Sequence, residues 1–291
     1  MAIDIMAAFE EEPPILDFIW PGFLAGSVGA LVAPGATGKS FWALEAAMAV
    51  ACAVPGGDIL GLAPASSGRV VYLAAEDPEP ALICRVHALG AHLGQAAREA
   101  IAERLTLRPI MGKRLNIMDE KHLAHVVDDC AGARLLVLDT LSRIHTLDEN
   151  DNGQMAQLVS QLEYIAAQTG AAVLFLHHVS KASARERGDE QQAARGASAL
   201  VDNARWAGYL TQMSDTEGKF WSDRLDRSPI ADRRGLFVKW GVSKQNYGHG
   251  LLPTWFRRDT GGVLVPVDLV EAVDDSKDKG EGEGRRRRDG F

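Results

Sequence analysis

The segment Ala33-Pro34-Gly35-Ala36-Thr37-Gly38-Lys39-Ser40 constrains the fold more than any other, because a small-residue loop ending in Gly-Lys-Ser works only between a buried strand and the start of a helix. Ser27 to Ala33 reads as such a strand, and the run that begins Phe41-Trp42-Ala43-Leu44 reads as the helix. In this context Gly35, Ala36, Thr37 and Gly38 let consecutive backbone N–H groups turn inward, and the helix offers its positive amino-terminal end. Lys39 then reaches the β- and γ-phosphates of a nucleotide and the Ser40 hydroxyl is a ligand for Mg²⁺, so ATP and Mg²⁺ are the expected cofactors. Ala33 stands where the pattern G-x-x-x-x-G-K-[ST] begins with glycine; it keeps room for close approach, and Gly35 is expected to supply the missing backbone freedom. An ordinary glycine-rich turn does not account for Lys39 and Ser40 in register after Gly38.

With 291 residues, 46% of them hydrophobic, the chain is long enough to bury a substantial core, which excludes disorder throughout. Its start, Met1 to Pro14, lacks a basic region followed by an apolar run, and no later segment offers about 18 uninterrupted apolar residues, so a soluble, cytoplasmic protein without membrane contact is expected. Cys52, Cys84 and Cys130 show neither zinc nor redox-motif spacing and read as buried, reduced thiols. The formal charge of −8 argues against broad attraction to nucleic acid but leaves room for a local basic channel.

Four apolar runs, Ser27 to Ala33, Arg69 to Ala75, Arg134 to Asp139 and Ala171 to His177, suit buried parallel strands. Helical patterns over Pro78 to Leu93, Ala96 to Arg104, Glu120 to Asp129 and Met155 to Gln168 lie between them, which predicts a doubly wound α/β fold. Arg205 to Thr211, Gly235 to Ser243 and a hairpin over Thr254 to Pro266 extend that sheet with antiparallel strands toward the carboxyl terminus. The expected organisation is an amino-terminal arm or interface segment over 1–26, the nucleotide-binding domain over 27–270, and a disordered charged tail over 271–291 that contains Arg285 to Arg288. No internal repeat is evident.

Two strand ends carry further chemistry. Asp139, closing the apolar run Arg134 to Asp139, places a hard oxygen ligand for Mg²⁺ beside the phosphate loop. Glu76, in Tyr72-Leu-Ala-Ala-Glu-Asp-Pro78, is positioned to polarise the water that attacks the γ-phosphorus, whereas Asp77 before Pro78 reads as a helix N-cap.

This order of phosphate loop, strand-Glu76, strand-Asp139 and strand-His177-His178 resembles the RecA-like P-loop ATPases related to hexameric replicative helicases of the DnaB type. The closer resemblance is to plasmid RepA helicases, carried by Tyr72-Leu-Ala-Ala-Glu-Asp-Pro, His87-Ala-Leu-Gly-Ala-His-Leu, Val137-Leu-Asp-Thr-Leu, Phe175-Leu-His-His, Ala194-Arg-Gly-Ala-Ser-Ala-Leu-Val-Asp-Asn-Ala-Arg-Trp206 and Gly241-Val-Ser-Lys-Gln-Asn-Tyr-Gly. It spans residues 10 to 265, leaving out the arginine-rich tail; Ala33 departs from the family pattern. The resemblance implies an ATP-dependent DNA helicase acting as a ring, usually a homo-hexamer, on single-stranded DNA in plasmid replication, with plasmid initiator and primase proteins as further partners.

It also implies roles for single residues. Arg205 is the candidate arginine finger acting on a neighbour's nucleotide, the alternative being a structural ion pair with Asp202 or another acid. Lys244 and Tyr247 form another face of the nucleotide site, with Tyr247 either stacking on adenine opposite Arg85 or packing within the fold. His178 senses the γ-phosphate, although His177 is an equal candidate for the exposed histidine; a metal reading of the pair lacks a third ligand. The polar stretch Ser180 to Arg195 brings Lys181, Arg185 and Arg187 to a DNA channel or is a solvated loop, since Glu186, Asp189 and Glu190 offset those bases. Two other functions share the same loop: a RecA-like switch or loader that binds DNA without unwinding it, and a small-molecule kinase. Family likeness implies 5′ to 3′ travel.

Overall fold

The computed structural model describes residues 2–179, 198–248 and 252–273. Lys181, Arg185 and Arg187 therefore lie outside the described residues, as do Arg285 to Arg288.

The chain begins with a helix, α1 (Ile5–Glu10), capped by the Asp4 side chain, followed by two short paired strands, β1 (Phe18–Trp20) and β2 (Phe23–Leu24). Six strands then form the parallel part of the sheet: β3 (Val28–Ala33), β4 (Val70–Ala74), β5 (Leu105–Pro109), β6 (Leu135–Asp139), β7 (Ala172–His178) and β8 (Trp206–Gln212). Their intervening helices are α2 (Lys39–Ala51), α3 (Glu79–Gly90), α4 (Gln95–Arg104), α5 (Glu120–Asp129), α6 (Asn152–Thr169) and α7 (Ser198–Asn203). A further helix, α8 (Asp215–Phe220), and strand β9 (Trp221–Ser222) precede β10 (Phe237–Gln245), β11 (Thr254–Arg258), β12 (Leu264–Pro266) and β13 (Val270–Glu271). Among the described residues the main sheet runs β12-β11-β10-β8-β3-β7-β6-β4-β5, antiparallel from β8 to β12 and parallel from β8 to β5. The fold is α/β with a mostly parallel central sheet, as the apolar runs require.

Strands covered on both faces cannot alternate apolar and polar residues, so they read as continuous hydrophobic runs. Alternation persists as the choice of face. In β3, Val28, Ala30 and Val32 enter the layer with α5 and α6, while Leu31 and Ala33 enter the opposite layer with α2, α3 and α4. In β6, Leu136 and Leu138 face the first layer, and Leu135 and Val137 the second. The second layer also holds an aromatic cluster: Trp20 lies 5.0 Å from Phe23, 5.9 Å from Trp42 and 5.6 Å from Trp206, with Trp42 stacked on Trp240 at 5.4 Å. Phe23 presses so closely on β3 that a Cβ at Gly29 would stand 2.7 Å from its ring. The boundary drawn at residue 26 thus follows a segment whose Ile19, Trp20 and Phe23 are fully buried in the domain core.

Helix ends follow local chemistry. Asp119 and Asp151 accept backbone N–H groups at the starts of α5 and α6, and Gly170, with φ of 73°, ends α6. At α3 the expected cap at Asp77 is overturned: Pro78 holds the N-cap position without a side-chain bond, and Asp77 instead pairs with Arg85 at 2.6 Å. The thiols also differ from expectation, for Cys130 is buried but Cys52 is half-buried and Cys84 is exposed on the outer face of α3 beside exposed Ile83. Among the described residues no helix is long and apolar enough to cross a membrane.

Candidate nucleotide site

Register alignment brings the site together. Ala33 pairs with His178 and Ala74 with Asp139, so the phosphate loop, Glu76, Asp139 and His178 all leave the carboxyl edges of the four adjacent strands β3, β7, β6 and β4. Strand order places β3 between β7 and β8 while its own crossover through α2 leads to β4, which opens a crevice at this edge.

The loop turns through left-handed backbone at Ala36 (φ 63°) and Gly38 (φ 106°). Gly35 does not adopt such a conformation, so the freedom expected there is exercised by Ala36 instead. Lys39, at the first position of α2, is 5% exposed and donates to Ala33 O at 2.9 Å, Pro34 O at 3.2 Å and His178 Nδ1 at 2.9 Å. Burial lowers its pKa to about 8, against the opposing pull of Asp139 and Glu76, so it stays an ammonium at neutral pH. An ammonium has no acceptor, hence His178 Nδ1 carries the lone pair and Nε2 the proton, which is directed at Glu76 Oε2 3.4 Å away. Lys39, His178 and Glu76 form one chain. The adjacent His177 is mostly buried, and burial, with the Lys39 ammonium close by, lowers its pKa to about 4; His178 is the histidine open to the crevice.

Asp139 is buried with both oxygens engaged: Ser40 Oγ donates to Oδ1 at 3.2 Å and the Tyr72 hydroxyl to Oδ2 at 2.7 Å. Burial raises its pKa, and these two hydrogen bonds oppose that rise. The pairing of a hydroxyl and a carboxylate beside the loop is a hard-oxygen donor set, the kind that suits Mg²⁺. Tyr72 escaped the sequence reading. Its signal was a phenol in an otherwise aliphatic buried strand, where the hydroxyl must find a partner. Arg143, whose Nε lies 3.9 Å from Glu76 Oε1, and Arg258 were also missed. Arg258 reaches from β11 to the loop, donating from Nη2 to Ala36 O at 3.0 Å and to Thr37 O.

Arg85 stands near this edge, paired with Asp77 and 5.4 Å from the centroid of the Phe41 ring. Arg205, Lys244 and Tyr247 occupy the other edge. Arg205 N bonds Val28 O at the start of β3, and Gln245 at the end of β10 pairs with Trp206. Arg205 is half-exposed, 4.0 Å from Glu163, and Lys244 Nζ donates to Asp202 O at 2.6 Å. Tyr247 is exposed. Within one chain, therefore, Arg85 and Tyr247 do not meet across a single ring-sized gap, and Phe41 is the ring that Arg85 covers.

A chain with this sheet, loop and set of strand-end carboxylates has the RecA-like P-loop fold. Residues 2–184 match the family model described as AAA domain, and the chain belongs to that family. Among solved structures, a DnaB-like replicative helicase, determined with its interactions with primase, aligns with TM-score 0.57 at 14% identity over 90% of this chain and 66% of its own. A solved ATPase domain aligns with TM-score 0.55 at 12% identity, covering 91% of this chain and 96% of that one. The RadB recombinase aligns with TM-score 0.50 at 13% identity, covering 84% and 90%. At such identities the likeness is one of fold.

Proposed function

We propose that this protein is an ATP-dependent DNA helicase that works as a ring on single-stranded DNA in plasmid replication. The observation that carries the reading is the Lys39–His178–Glu76 chain beside the Ser40–Asp139 pair, with Arg205 and Lys244 held at the opposite edge of the same sheet. On nucleotide binding Lys39 turns from the Ala33 and Pro34 carbonyls to the β- and γ-phosphates. Glu76 accepts a proton as the attacking water oxygen bonds to the γ-phosphorus and the bond to the bridging oxygen of ADP breaks. Ser40 and Asp139 are the residues that would hold Mg²⁺, which would supply neutralising charge to the phosphate oxygens. His178, bonded to both Lys39 and Glu76, feels whether the γ-phosphate is present. Arg205 then acts on the nucleotide of a neighbouring subunit, and Lys244 and Tyr247 contribute from the same face.

Assembly as a homo-hexamer is supported by α1, which exposes Ile5, Met6 and Phe9, the last 78% exposed, and buries none of its residues. Single-stranded DNA is the proposed track, contacted by Lys181, Arg185 and Arg187, with primase and a plasmid initiator as partners. The test is unwinding of forked duplexes bearing a 5′ or a 3′ single-stranded tail, alongside Lys39→Ala and with native mass recorded. ATP-dependent displacement by a hexamer, reduced below detection in Lys39→Ala, is expected. ATP hydrolysis with no displacement on either substrate would sink the motor reading in favour of a switch or loader.

A further inference from the structure

The hairpin formed by β11 and β12 belongs to the antiparallel end of the sheet, yet it reaches back over the phosphate-loop helix. Its turn needs glycine twice over: Gly261 and Gly262 have φ of 76° and 96°, and a Cβ on them would stand 2.5 Å from Ala88 and 2.8 Å from the Phe41 ring. Phe256 and Leu264 are fully buried, and Leu264 N donates to Glu45 of α2 at 2.9 Å. Arg258 is thus delivered by a firmly seated strand. Its guanidinium lies against Gly38, where a Cβ would meet Nη2 at 3.2 Å, and it binds the carbonyls of Ala36 and Thr37 from the outside of the loop.

Peptide geometry turns this contact into a statement about the inside of the loop. Among the described residues the only cis peptide is Asp139–Thr140, so the Ala36–Thr37 and Thr37–Gly38 units are trans. In a trans unit the carbonyl and the following N–H point in opposite directions. Two consecutive carbonyls fastened outward on Arg258 therefore aim the N–H groups of Thr37 and Gly38 away from Arg258, into the cradle. We propose that Arg258 is a positioning residue of the nucleotide site, which pre-sets two phosphate-binding N–H groups by holding their peptide planes from behind. It makes the carboxyl-terminal hairpin part of the phosphate cradle. The inference rests on the nucleotide-binding reading of the loop and adds a residue to it.

A pre-set donor binds phosphate in the ground state and in the transition state alike, so its loss raises KM far more than it lowers kcat. The neighbouring Arg257 projects from the exposed side of β11 and serves as the charge-matched control. Calorimetric titration of the full chain with ADP and steady-state hydrolysis of ATP are measured for wild type, Arg258→Ala, Arg258→Lys and Arg257→Ala. Arg258→Ala is expected to weaken ADP binding and raise KM about tenfold with kcat within about threefold. Arg258→Lys, which keeps a cation on a long stem but a single donor point, recovers part of the loss, and Arg257→Ala binds within about twofold of wild type. Unchanged ADP affinity in Arg258→Ala, or an equal loss in Arg257→Ala, overturns the role of Arg258 alone. Absence of ADP and ATP binding in the wild type overturns the nucleotide reading with it. If Arg258→Ala fails to fold, the partial loss in Arg258→Lys decides the matter: wild-type affinity there overturns the proposal.

Discussion

At the carboxyl edge of the parallel strands, Lys39, His178 and Glu76 form one chain at 2.9 and 3.4 Å, Ser40 meets Asp139 at 3.2 Å, and the Tyr72 hydroxyl donates to Asp139 at 2.7 Å. At the amino edge of the same sheet, Arg205 is half-exposed and, among the described residues, pairs only with Glu163, at 4.0 Å. The first edge has its groups pre-arranged by hydrogen bonds, one of them fully buried; the second presents a cation that the described residues scarcely engage. A phosphoryl-transfer site assembled from both kinds of edge needs two chains, because a strand of the sheet separates Arg205 from Lys39 in one chain. This comparison supports action across subunits and can be broken experimentally.

The largest effect is expected from Arg205. If it serves a neighbour's γ-phosphate, Arg205→Ala lowers hydrolysis on the order of a thousandfold. Mixing Arg205→Ala with Lys39→Ala subunits then restores activity at those interfaces that pair an intact loop with an intact Arg205. Mixed assemblies no more active than either parent would show that Arg205 does not act in trans and would erase the functional side of the comparison.

A second buried acid separates burial from hydrogen bonding as the cause of the order at the loop. Glu45, on α2, is fully buried like Asp139, but only Oε1 has a partner, the Leu264 N–H, while Oε2 has none among the described residues. Burial raises its pKa from 4.5 to about 8, with the Leu264 bond opposing the rise. The folded state thus keeps a proton that the unfolded state releases above 4.5, so this contribution to stability is present below 4.5 and lost as pH rises toward about 8. Glu45→Gln removes that loss. Urea titrations at several pH values should find the variant gaining on wild type by roughly 1 kcal/mol per pH unit across that window. A constant difference between the two proteins would mean that Glu45 is ionised in the fold and that burial alone does not set its state.

The strands that carry the site were legible because double-sided burial writes them as unbroken apolar runs ending in charged residues, as at Asp139 and Glu76. The strand β5 was not: Leu105 to Pro109 is half-buried at the sheet margin, continues directly from α4 and ends in proline, which edge strands tolerate. Nor did the pattern before residue 27 disclose that Trp20 and Phe23 fill the core, since a three-residue strand is too short to show a period. Lys39, Ser40 and their partners follow from local spacing. Arg258 does not, because its 221-residue separation from Thr37 is closed only by the hairpin's place in the sheet. Asp77 was misread as a cap for a similar reason, its competitor Arg85 being two turns along α3.

The smallest effects sharpen the comparison of the two edges by measuring stability instead of turnover. Tyr72→Phe leaves the ring in the core and removes one donor from a buried carboxylate, so Asp139 loses the bond at 2.7 Å with no water-exposed substitute. Loss of a hydrogen bond to a charged group costs roughly 1.5–3 kcal/mol, read as a fall in the urea midpoint at constant slope. Arg205→Ala, by contrast, removes a half-exposed contact at 4.0 Å from an equally exposed Glu163 and should change stability by about 0.5 kcal/mol or less. Equal losses would mean that Arg205 is a structural ion pair after all. A large loss for Tyr72→Phe with none for Arg205→Ala leaves the arginine without a role inside its own chain, which is the condition under which a role in the next one has to be sought.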